Sequence, residues 1–412
     1  MLIHESNRGS IMMAETKVSP TIAHLERELQ AGNTDALSAF WDYIAQEGAP
    51  LIEETDNEEE VLLTFLWQSE SESTENVYTL GGPAGWRLEE AQLTRLLDTD
   101  LYYRTLQTKL RSVAEYYVSP NDTFEDDWVA RLANLQEDPL NRNFLVHPAN
   151  PDKPATKDTT VAVLNYPGFE PNLYRAVRQH APQGEITQHR LQSAVLENER
   201  SVWVYTPPGY SADSEPYRVL VLFDGFEYDK IVSAPTILDN LVADGKISPV
   251  VAVFVNANDR RNEEMRGTAL FAKFAAEEVT AFVRQHYNVS TDPKHAAIGG
   301  CSNGGLMGMI VAMQNPNVYG NVLSQSGSFA WGYDGEPEWF MKQLEKAVSV
   351  HLNVYMDVGN CEQADVLESN YSIRDQLRQK GANVHFTEFK GGHDWVCWRE
   401  TFADAVVALF GN

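Results

Sequence analysis

The stretch Ala297-Ile298-Gly299-Gly300-Cys301-Ser302-Asn303-Gly304-Gly305-Leu306-Met307 decides the fold of this 412-residue chain. It contains the pattern G-x-S-x-G at residues 300–304, between a short apolar segment and a segment with apolar residues at helical density. A serine held between a strand and a helix, with glycine two places to either side, is typical of a nucleophile elbow. An ordinary glycine-rich turn has the same five letters, so the rest of the chain must distinguish the two.

The chain around this stretch alternates between apolar runs and helical patterns. Apolar runs occur at residues 217–223, 250–255, 295–298, 350–356 and 384–389. This alternation predicts an α/β fold, a mostly parallel sheet with helices on both faces as in the α/β-hydrolases. Side chains with a chemical role are expected at the carboxyl ends of its strands.

The first part of the chain has a different pattern. Short strands such as 61–67 and 77–80 follow one another at hairpin spacing, without intervening helices. This pattern predicts a smaller β-sandwich-like domain. We therefore expect an N-terminal domain at residues 20–145, a linker at 146–183 and a catalytic domain at 184–412.

Composition limits the classes of partner. The net charge of −27, from 59 acidic and 32 basic residues, argues against nucleic acid and anionic membranes as partners. Three cysteines are too few and too oddly placed for a disulfide framework, and the first residues lack the apolar core of a signal peptide. The sequence predicts a cytoplasmic protein without membrane spans and leaves the oligomeric state open.

A serine nucleophile needs a base and an acid, in the chain order Ser, Asp or Glu, His. His393 follows two glycines at the end of the last predicted strand and is the predicted base. The loop at residues 357–365 offers three carboxylates. Glu362 is favoured because it can curl back over the sheet edge after Gly359, and Asp357 and Asp365 are the alternatives.

Two backbone N–H groups should stabilise the developing oxyanion. One is expected from Asn303, directly after the nucleophile, and the other from Phe226, which follows Gly225 at the end of an earlier strand. Cys301 lies off the apex of the elbow and is interpreted as a small buried side chain.

Three arginines at positions 260, 261 and 266 follow another strand, and Arg399 lies close to His393 in sequence. They could cap helices and form surface ion pairs, or they could form a local cationic patch for an anionic ligand. Trp395 and Trp398 beside His393 could belong to the core or stack on a flat aromatic substrate.

Taken together, these motifs resemble the enterochelin (ferric enterobactin) esterase family, within the broader esterase-D-like α/β-hydrolases. The resemblance rests on residues 222–225, 261–265, 300–306, 323–328, 358–362 and 391–399, and in the first part on segments such as 61–67 and 138–141. It covers nearly the whole chain. Only Cys301, Asn303 and the segment 260–262 depart from the family pattern, and this leaves the particular substrate open.

The resemblance implies hydrolysis of the serine trilactone of a catecholate siderophore, with Ser302 as nucleophile and His393 as proton shuttle. Iron would enter only as part of the substrate, so no cofactor and no protein metal site are expected. The substrate-binding residues are then expected to be Asp224, Arg260, Arg261, Glu264, Trp395, Trp398 and Arg399.

Two other functions compete with this reading. One is a carbohydrate-linked or feruloyl esterase with a glycan-binding first domain, which an exposed aromatic strand face on that domain would favour. The other is a siderophore-binding protein that keeps the elbow but does not turn over its ligand.

Overall fold

The computed structural model describes residues 19–71, 73–109, 112–124, 128–154, 156–267, 269–330 and 339–412. Within these ranges, no helix is both long and apolar enough to cross a lipid bilayer. The described residues form three sheets, two in the first part of the chain and one large sheet in its second part.

The first part begins with helices and continues with two four-stranded sheets, in the orders β1-β2-β5-β4 and β3-β6-β8-β7. The helices are α1 (Pro20–Gln30), α2 (Ala36–Glu47), α3 (Leu88–Ala91) and α4 (Trp128–Asn134). The strands are β1 (Leu51–Glu54), β2 (Val61–Gln68), β3 (Val77–Leu80), β4 (Thr94–Arg95), β5 (Leu101–Thr108), β6 (Val113–Pro120), β7 (Phe144–His147) and β8 (Thr159–Asn165).

Apolar side chains from both of these sheets meet in one cluster. Phe65 on β2 and Tyr116 on β6 are buried, and their ring centroids lie 5.0 Å apart. This contact between buried residues of the two sheets is the packing of a two-sheet sandwich. The sandwich-like architecture predicted for the first part is therefore confirmed.

The second part contains an eight-stranded sheet in the order β16-β15-β14-β13-β11-β12-β10-β9. The six strands from β11 to β16 are parallel to one another, whereas β9 and β10 form an antiparallel edge, in which β10 pairs with β12. The strands are β9 (Glu185–Ser193), β10 (Asn198–Thr206), β11 (Arg218–Phe223), β12 (Val250–Val255), β13 (Ala296–Cys301), β14 (Asn321–Gln325), β15 (Asn353–Gly359) and β16 (Asn383–Phe389).

Helices cover both faces of this sheet, and an apolar cluster lies on each face. This is the α/β-hydrolase architecture that the alternating pattern predicted. The helices are α5 (Gly225–Lys230), α6 (Ala234–Ala243), α7 (Arg261–Gly267), α8 (Ala269–Lys273), α9 (Thr280–His286), α10 (Asn303–Gln314), α11 (Trp339–Lys346), α12 (Ala364–Gln379) and α13 (Trp395–Phe410).

Glycines allow α10 to lie directly on the strand that leads into it. A Cβ atom at Gly308 on α10 would lie 2.5 Å from the Cα of Gly299 on β13. A Cβ atom at Gly299 would in turn lie 1.8 Å from the carbonyl oxygen of Leu323 on β14. Such distances are too short for any side chain, so these two glycines set the position of the elbow between strand and helix.

The first part of the chain touches the end of the large sheet where the functional loops lie. A Cβ atom at Gly392 would be 2.9 Å from backbone atoms of Gly82, so the loop that carries His393 abuts the first part. The Cys397 thiol on α13 donates to the carbonyl oxygen of Val113 on β6 at 3.1 Å. The two parts are therefore packed together beside the predicted site.

The division of the chain at residues 145 and 184 stays a prediction. Within the predicted linker, however, β8 pairs with both β6 and β7 and is part of the second small sheet. The linker pattern of Pro, Lys and Asp holds only before this strand, at residues 148–158. The apolar run Val161 to Leu164 was the signal for the strand.

Candidate active site

Ser302 lies at the turn between β13 and α10, with φ of 55° and ψ of −119°. A positive φ is uncommon for a residue with a side chain and indicates a strained backbone. The same turn gives the Ser302 N–H a hydrogen bond to the carbonyl oxygen of Gln325 at 2.8 Å, which anchors the apex to β14. The geometry is that of a nucleophile elbow.

His393 connects the serine to an acid. Its Nε2 lies 3.0 Å from the Ser302 hydroxyl oxygen, and its Nδ1 lies 2.7 Å from Oε2 of Glu362. Nδ1–H donates to the carboxylate, which leaves Nε2 free to accept the serine proton. The structure thus brings together the three residues that the chain order suggested, although they are up to 91 positions apart.

The Glu362 carboxylate is completely enclosed, with no exposed side-chain surface. Its Oε1 accepts hydrogen bonds from the Gly359 N–H at 3.0 Å and from the Ser326 hydroxyl. These donors hold the carboxylate in one orientation and satisfy the oxygen that does not face the histidine. A buried charge requires such partners to remain ionised.

The two alternative acids, Asp357 and Asp365, have other partners. Asp365 is half exposed and lies 3.8 Å from Arg87. Asp357 is buried, and it accepts hydrogen bonds from the Tyr355 hydroxyl at 3.0 Å and the Ser326 N–H at 3.2 Å. Neither is hydrogen-bonded to His393, so the geometry favours Glu362 among the three carboxylates.

The pKa of the Asp357 carboxyl differs measurably from that of an ordinary aspartate. Burial raises the pKa of its carboxyl from 3.8 to about 7, against hydrogen bonds from Thr401 and Tyr355 that lower it. A raised pKa means that the folded protein holds the proton more tightly, so this stabilisation is complete below about pH 4 and is lost as the pH rises through about 7.

We therefore expect the variant Asp357→Asn, which stays neutral, to lose less stability than the wild type between about pH 4 and pH 8. Urea denaturation of both proteins across this range measures the difference in the free energy of unfolding. The variant Asp365→Asn, at the surface, is the control and should follow the wild type. Parallel curves for Asp357→Asn and the wild type would contradict the assignment of a buried neutral carboxyl.

Sequence reasoning assigned no role to two serines that follow β14. Ser326 is buried with φ of 49°, and its hydroxyl both donates to Glu362 and accepts from Nε1 of Trp398 at 2.9 Å. The Ser328 hydroxyl lies 2.9 Å from that of Ser302. Their position at the carboxyl end of the strand beside the elbow was the available signal.

The predicted oxyanion donors lie at the starts of two helices that follow neighbouring strands. Asn303 is the first residue of α10 after β13, and Phe226 is the second residue of α5 after β11. These two strands are adjacent and parallel, so both N–H groups lie at the carboxyl edge of the sheet, at helix N-termini. Their role in binding an oxyanion stays a prediction.

Cys301 is fully enclosed, and burial raises the pKa of its thiol well above the ordinary value. A thiol kept protonated in this way is a poor nucleophile. The interpretation of Cys301 as a small buried side chain therefore agrees with its surroundings.

The arginines do not form an open cationic patch. Arg261 makes a two-pronged ion pair with the buried Asp224, at 2.5 and 2.6 Å, and Arg260 pairs with Glu263 at 3.0 Å. Burial disfavours the charged form of Arg261, but Asp224 outweighs this effect and raises the pKa above its ordinary value. These acidic partners neutralise Arg260 and Arg261, which the sequence alone offered as candidates for a cationic patch.

Two further predicted substrate-binding residues are engaged inside the protein. Glu264 is buried against the fully buried Arg200, with oxygens 2.9 and 3.1 Å from Nη2. Its contact with substrate, expected from the resemblance, stays a prediction. Asp224 likewise faces Arg261, so it positions the arginine and is not an open ligand group.

Arg266, which was grouped with the other arginines, lies closest to the elbow. Its Nε donates to the side-chain oxygen of Asn303 at 3.0 Å, and burial together with the charge of Arg261 lowers its pKa to about 10. Arg266 therefore fixes the side chain of Asn303, the residue after the nucleophile.

Trp395 and Trp398 lie beside the histidine and also belong to the core, Trp398 as a buried residue and Trp395 packed against it. The ring of Trp398 meets that of His393 edge-on, with centroids 4.9 Å apart, and Trp395 packs against Trp398 at 5.1 Å. Arg399 is mostly buried and lies 3.5 Å from Glu400. Burial, followed by the charge of Arg175, lowers the pKa of Arg399, against the nearby carboxylates of Glu400 and Glu115, which raise it.

The parallel sheet, the elbow and the hydrogen-bonded series Ser302, His393 and Glu362 define an α/β-hydrolase of the ester-cleaving type. Residues 193–409, more than half of the chain, match the model of the Esterase family. The chain belongs to this family and is an ester hydrolase.

Two curated relatives extend over nearly the whole chain. The iron(III) enterobactin esterase of Dickeya dadantii is 26% identical over 439 residues, which cover 95% of this chain and 96% of the relative. The iron(III) salmochelin esterase of Escherichia coli O6:H1 is 25% identical and covers 95% of this chain and 98% of its own length. The resemblance to the enterochelin esterases is thereby confirmed.

A solved structure supports the fold. The ferric enterobactin esterase of Salmonella typhimurium superposes with a TM-score of 0.71 at 21% sequence identity, covering 90% of this chain and 98% of that chain. The match extends beyond the hydrolase sheet, so the first part of the chain shares the architecture too.

Proposed function

We propose that this esterase hydrolyses the ester bonds of a catecholate siderophore, a trilactone of N-(dihydroxybenzoyl)serine. The observation that carries the proposal is the series Ser302, His393 and Glu362, set in a chain that matches siderophore esterases over 95% of its length. The match includes the first part of the chain as well as the hydrolase sheet.

Acylation begins when the Ser302 hydroxyl attacks an ester carbonyl of the trilactone while Nε2 of His393 takes its proton. Glu362 stabilises the imidazolium that forms. The negative charge on the carbonyl oxygen is received by the N–H groups of Asn303 and Phe226. Collapse of the intermediate breaks the ester C–O bond, and His393 returns its proton to the departing serine hydroxyl of the substrate.

Deacylation repeats the chemistry with water. His393 removes a proton from water, the resulting hydroxide attacks the acyl group on Ser302, and the serine leaves with the proton from His393. The product is a linear chain with a free carboxylate. Further cycles yield dihydroxybenzoyl-serine units, which hold iron more weakly than the intact ring, so iron(III) carried by the substrate is released.

The reaction is complete with the protein's own residues and water, so we propose that no cofactor takes part. We also propose that it occurs in the cytoplasm, where a ferric siderophore delivers its iron. No nucleic acid or membrane is required as partner.

The function is tested by incubating the protein with metal-free enterobactin, ferric enterobactin and methyl ferulate, followed by chromatography. We expect linear trimer, dimer and monomer of dihydroxybenzoyl-serine to accumulate, and none to form with the variant Ser302→Ala. Rapid cleavage of methyl ferulate with an intact trilactone would instead support the feruloyl esterase. A protein that binds the siderophore without cleaving it would support the non-catalytic alternative.

A further inference from the structure

A buried serine contacts the oxygen of the catalytic acid that does not face the histidine. The Ser326 hydroxyl donates to Oε1 of Glu362, whereas Oε2 of the same carboxylate lies 2.7 Å from Nδ1 of His393. Ser326 is fully buried and Glu362 is 8% exposed. The hydroxyl can therefore influence the histidine only through the carboxylate.

The indole of Trp398 fixes the direction in which the Ser326 proton points. Its Nε1 lies 2.9 Å from the Ser326 hydroxyl oxygen, and an indole N–H can only donate a hydrogen bond. The hydroxyl oxygen is therefore the acceptor of this bond, and its own single proton is left for Glu362. Trp398 is 4% exposed on α13, so close packing leaves the indole little freedom to turn away.

The backbone of Ser326 is held as closely as its side chain. Its N–H donates to the carbonyl oxygen of Asp357 at 2.9 Å and lies 3.2 Å from Oδ1 of the same residue. The φ of 49° at Ser326 lies in the left-handed region, which a residue with a side chain seldom adopts. Such a conformation persists where the surrounding contacts determine it, and it is frequent at functional sites.

Glu362 depends on hydrogen-bond donors because its charged surroundings do little to stabilise it. Of the basic side chains in the described ranges, only that of His393 forms an ion pair with it. Two further titratable groups face it, and neither supplies a positive charge. Burial, with a contribution from the charge of Glu362, raises the pKa of the Asp357 carboxyl to about 7 and that of the Cys361 thiol to about 11.

Three donors are recorded on the Glu362 carboxylate: the Gly359 N–H, the Ser326 hydroxyl and Nδ1–H of His393. Hydrogen bonds to the charged form of a carboxylate favour that form, and those to ions are stronger than those between neutral groups. The loss of one donor therefore weakens both the charge and the orientation of the acid.

We propose that Ser326 is a positioning residue of the catalytic series, and that Trp398 directs its hydroxyl proton to Glu362. The hydroxyl stabilises the charge on Glu362 and keeps Oε2 directed at Nδ1 of His393, so that Nε2 stays able to accept the proton of Ser302. This role rests on the triad assigned in the proposed function, but not on which ester is the substrate.

The variant Ser326→Ala removes the hydroxyl and is expected to lower kcat for p-nitrophenyl acetate about 10- to 100-fold, the range for a lost hydrogen bond to a charged group. KM should change little, because Ser326 is fully buried. The matched control is Ser324→Ala, since Ser324 is also buried and its hydroxyl has no hydrogen-bond partner among the described residues. It should keep wild-type kcat, and a Ser326→Ala variant that also kept it would overturn the proposal.

The variant Ser326→Gly separates catalysis from folding. Glycine adopts the left-handed region without steric cost, so this variant is expected to be more stable than Ser326→Ala in urea denaturation. Both variants lack the hydroxyl, and both should lose kcat to the same extent. If the loss in kcat followed the free energy of unfolding instead, Ser326 would be part of the packing alone.

The pH profile gives a readout that a packing defect would not change. A carboxylate that loses a donor binds a proton more readily, so the acid limb of kcat/KM should move to higher pH in Ser326→Ala. The profile of Ser324→Ala should follow the wild type. A loss by the same factor at every pH would contradict the positioning role.

The part played by Trp398 is tested by a double-mutant cycle with Trp398→Phe, which keeps an aromatic ring but lacks the N–H. We expect Trp398→Phe to lower kcat, and to lower it by a smaller factor when Ser326→Ala is already present, since its effect passes through the hydroxyl. Equal factors in both backgrounds would mean that Trp398 does not direct Ser326.

The choice of ester separates this proposal from the proposed function. Because each variant is assayed on p-nitrophenyl acetate, an intact siderophore trilactone would contradict the siderophore function and leave the role of Ser326 standing. Cleavage of the trilactone by the wild type, together with wild-type kcat in Ser326→Ala, would overturn the role of Ser326 and retain the siderophore function.

Discussion

Replacing Ser302 by alanine is expected to lower kcat by on the order of 10³-fold or more, because the variant lacks the only hydroxyl placed against Nε2 of His393 among the described residues. The loss should appear in kcat and not only in KM, since the substitution removes the nucleophile and leaves the surrounding side chains in place. Initial rates on the trilactone and on p-nitrophenyl acetate measure it, with circular dichroism to verify the fold.

Ser328 provides the matched control for this experiment. Its hydroxyl lies 2.9 Å from that of Ser302, but it is not hydrogen-bonded to the histidine in the structure. The variant Ser328→Ala should therefore lose at most about tenfold in kcat. If Ser328→Ala were as inactive as a histidine variant while Ser302→Ala kept its activity, the nucleophile would have been assigned to the wrong serine.

The second large effect is expected for Glu362→Gln, with a loss in kcat of about 10³- to 10⁴-fold, as for other triad acids changed to amides. The amide has nearly the same shape but no charge, and its NH₂ group can face Nδ1. The histidine would then adopt the tautomer with a proton on Nε2, which cannot accept the proton of Ser302.

The neighbouring carboxylates control for this effect. Asp365→Asn should keep wild-type activity, since the side chain is half exposed and 3.8 Å from Arg87. If Asp365→Asn or Asp357→Asn lost as much as Glu362→Gln, or if Glu362→Gln stayed active, the hydrogen-bonded series would not be the catalytic one.

The sequence predicted the fold, the nucleophile Ser302 and the base His393 because all three depend on local patterns. The glycines around Ser302 indicated a strand-to-helix turn, and the glycines before His393 indicated a loop at a strand end. The parallel sheet then brings strand ends together, so chain order pointed to the loop at residues 357–365, in which Glu362 was favoured over Asp357 and Asp365. The distances that join Ser302, His393 and Glu362 could be obtained only from the structure.

The pairing of charges was not predictable in the same way. Arg261 and Asp224 are 37 positions apart, and Arg200 and Glu264 are 64 apart, so no local spacing linked them. The sequence therefore left open whether Arg260 and Arg261 form ion pairs or a cationic patch, and the fold provides ion pairs. Ion pairs formed by tertiary contact are invisible to periodicity.

The contribution of the first part to the site was hidden for a related reason. Trp86 and Tyr117 lie on loops and strands of the small sheets, far in sequence from His393. Contacts between the two parts, such as those of Gly82 with Gly392 and of Val113 with Cys397, set them beside the histidine. The surroundings of His393 therefore arise from packing between two parts of the chain.

The central claim, that Ser302 is an activated nucleophile, is tested most directly by labelling with a fluorophosphonate probe and mapping the adduct by mass spectrometry. We predict one adduct on the wild-type protein, on the peptide that carries Ser302, and none on Ser302→Ala. A wild-type protein that is not labelled, or an adduct that persists in the variant, would contradict the account.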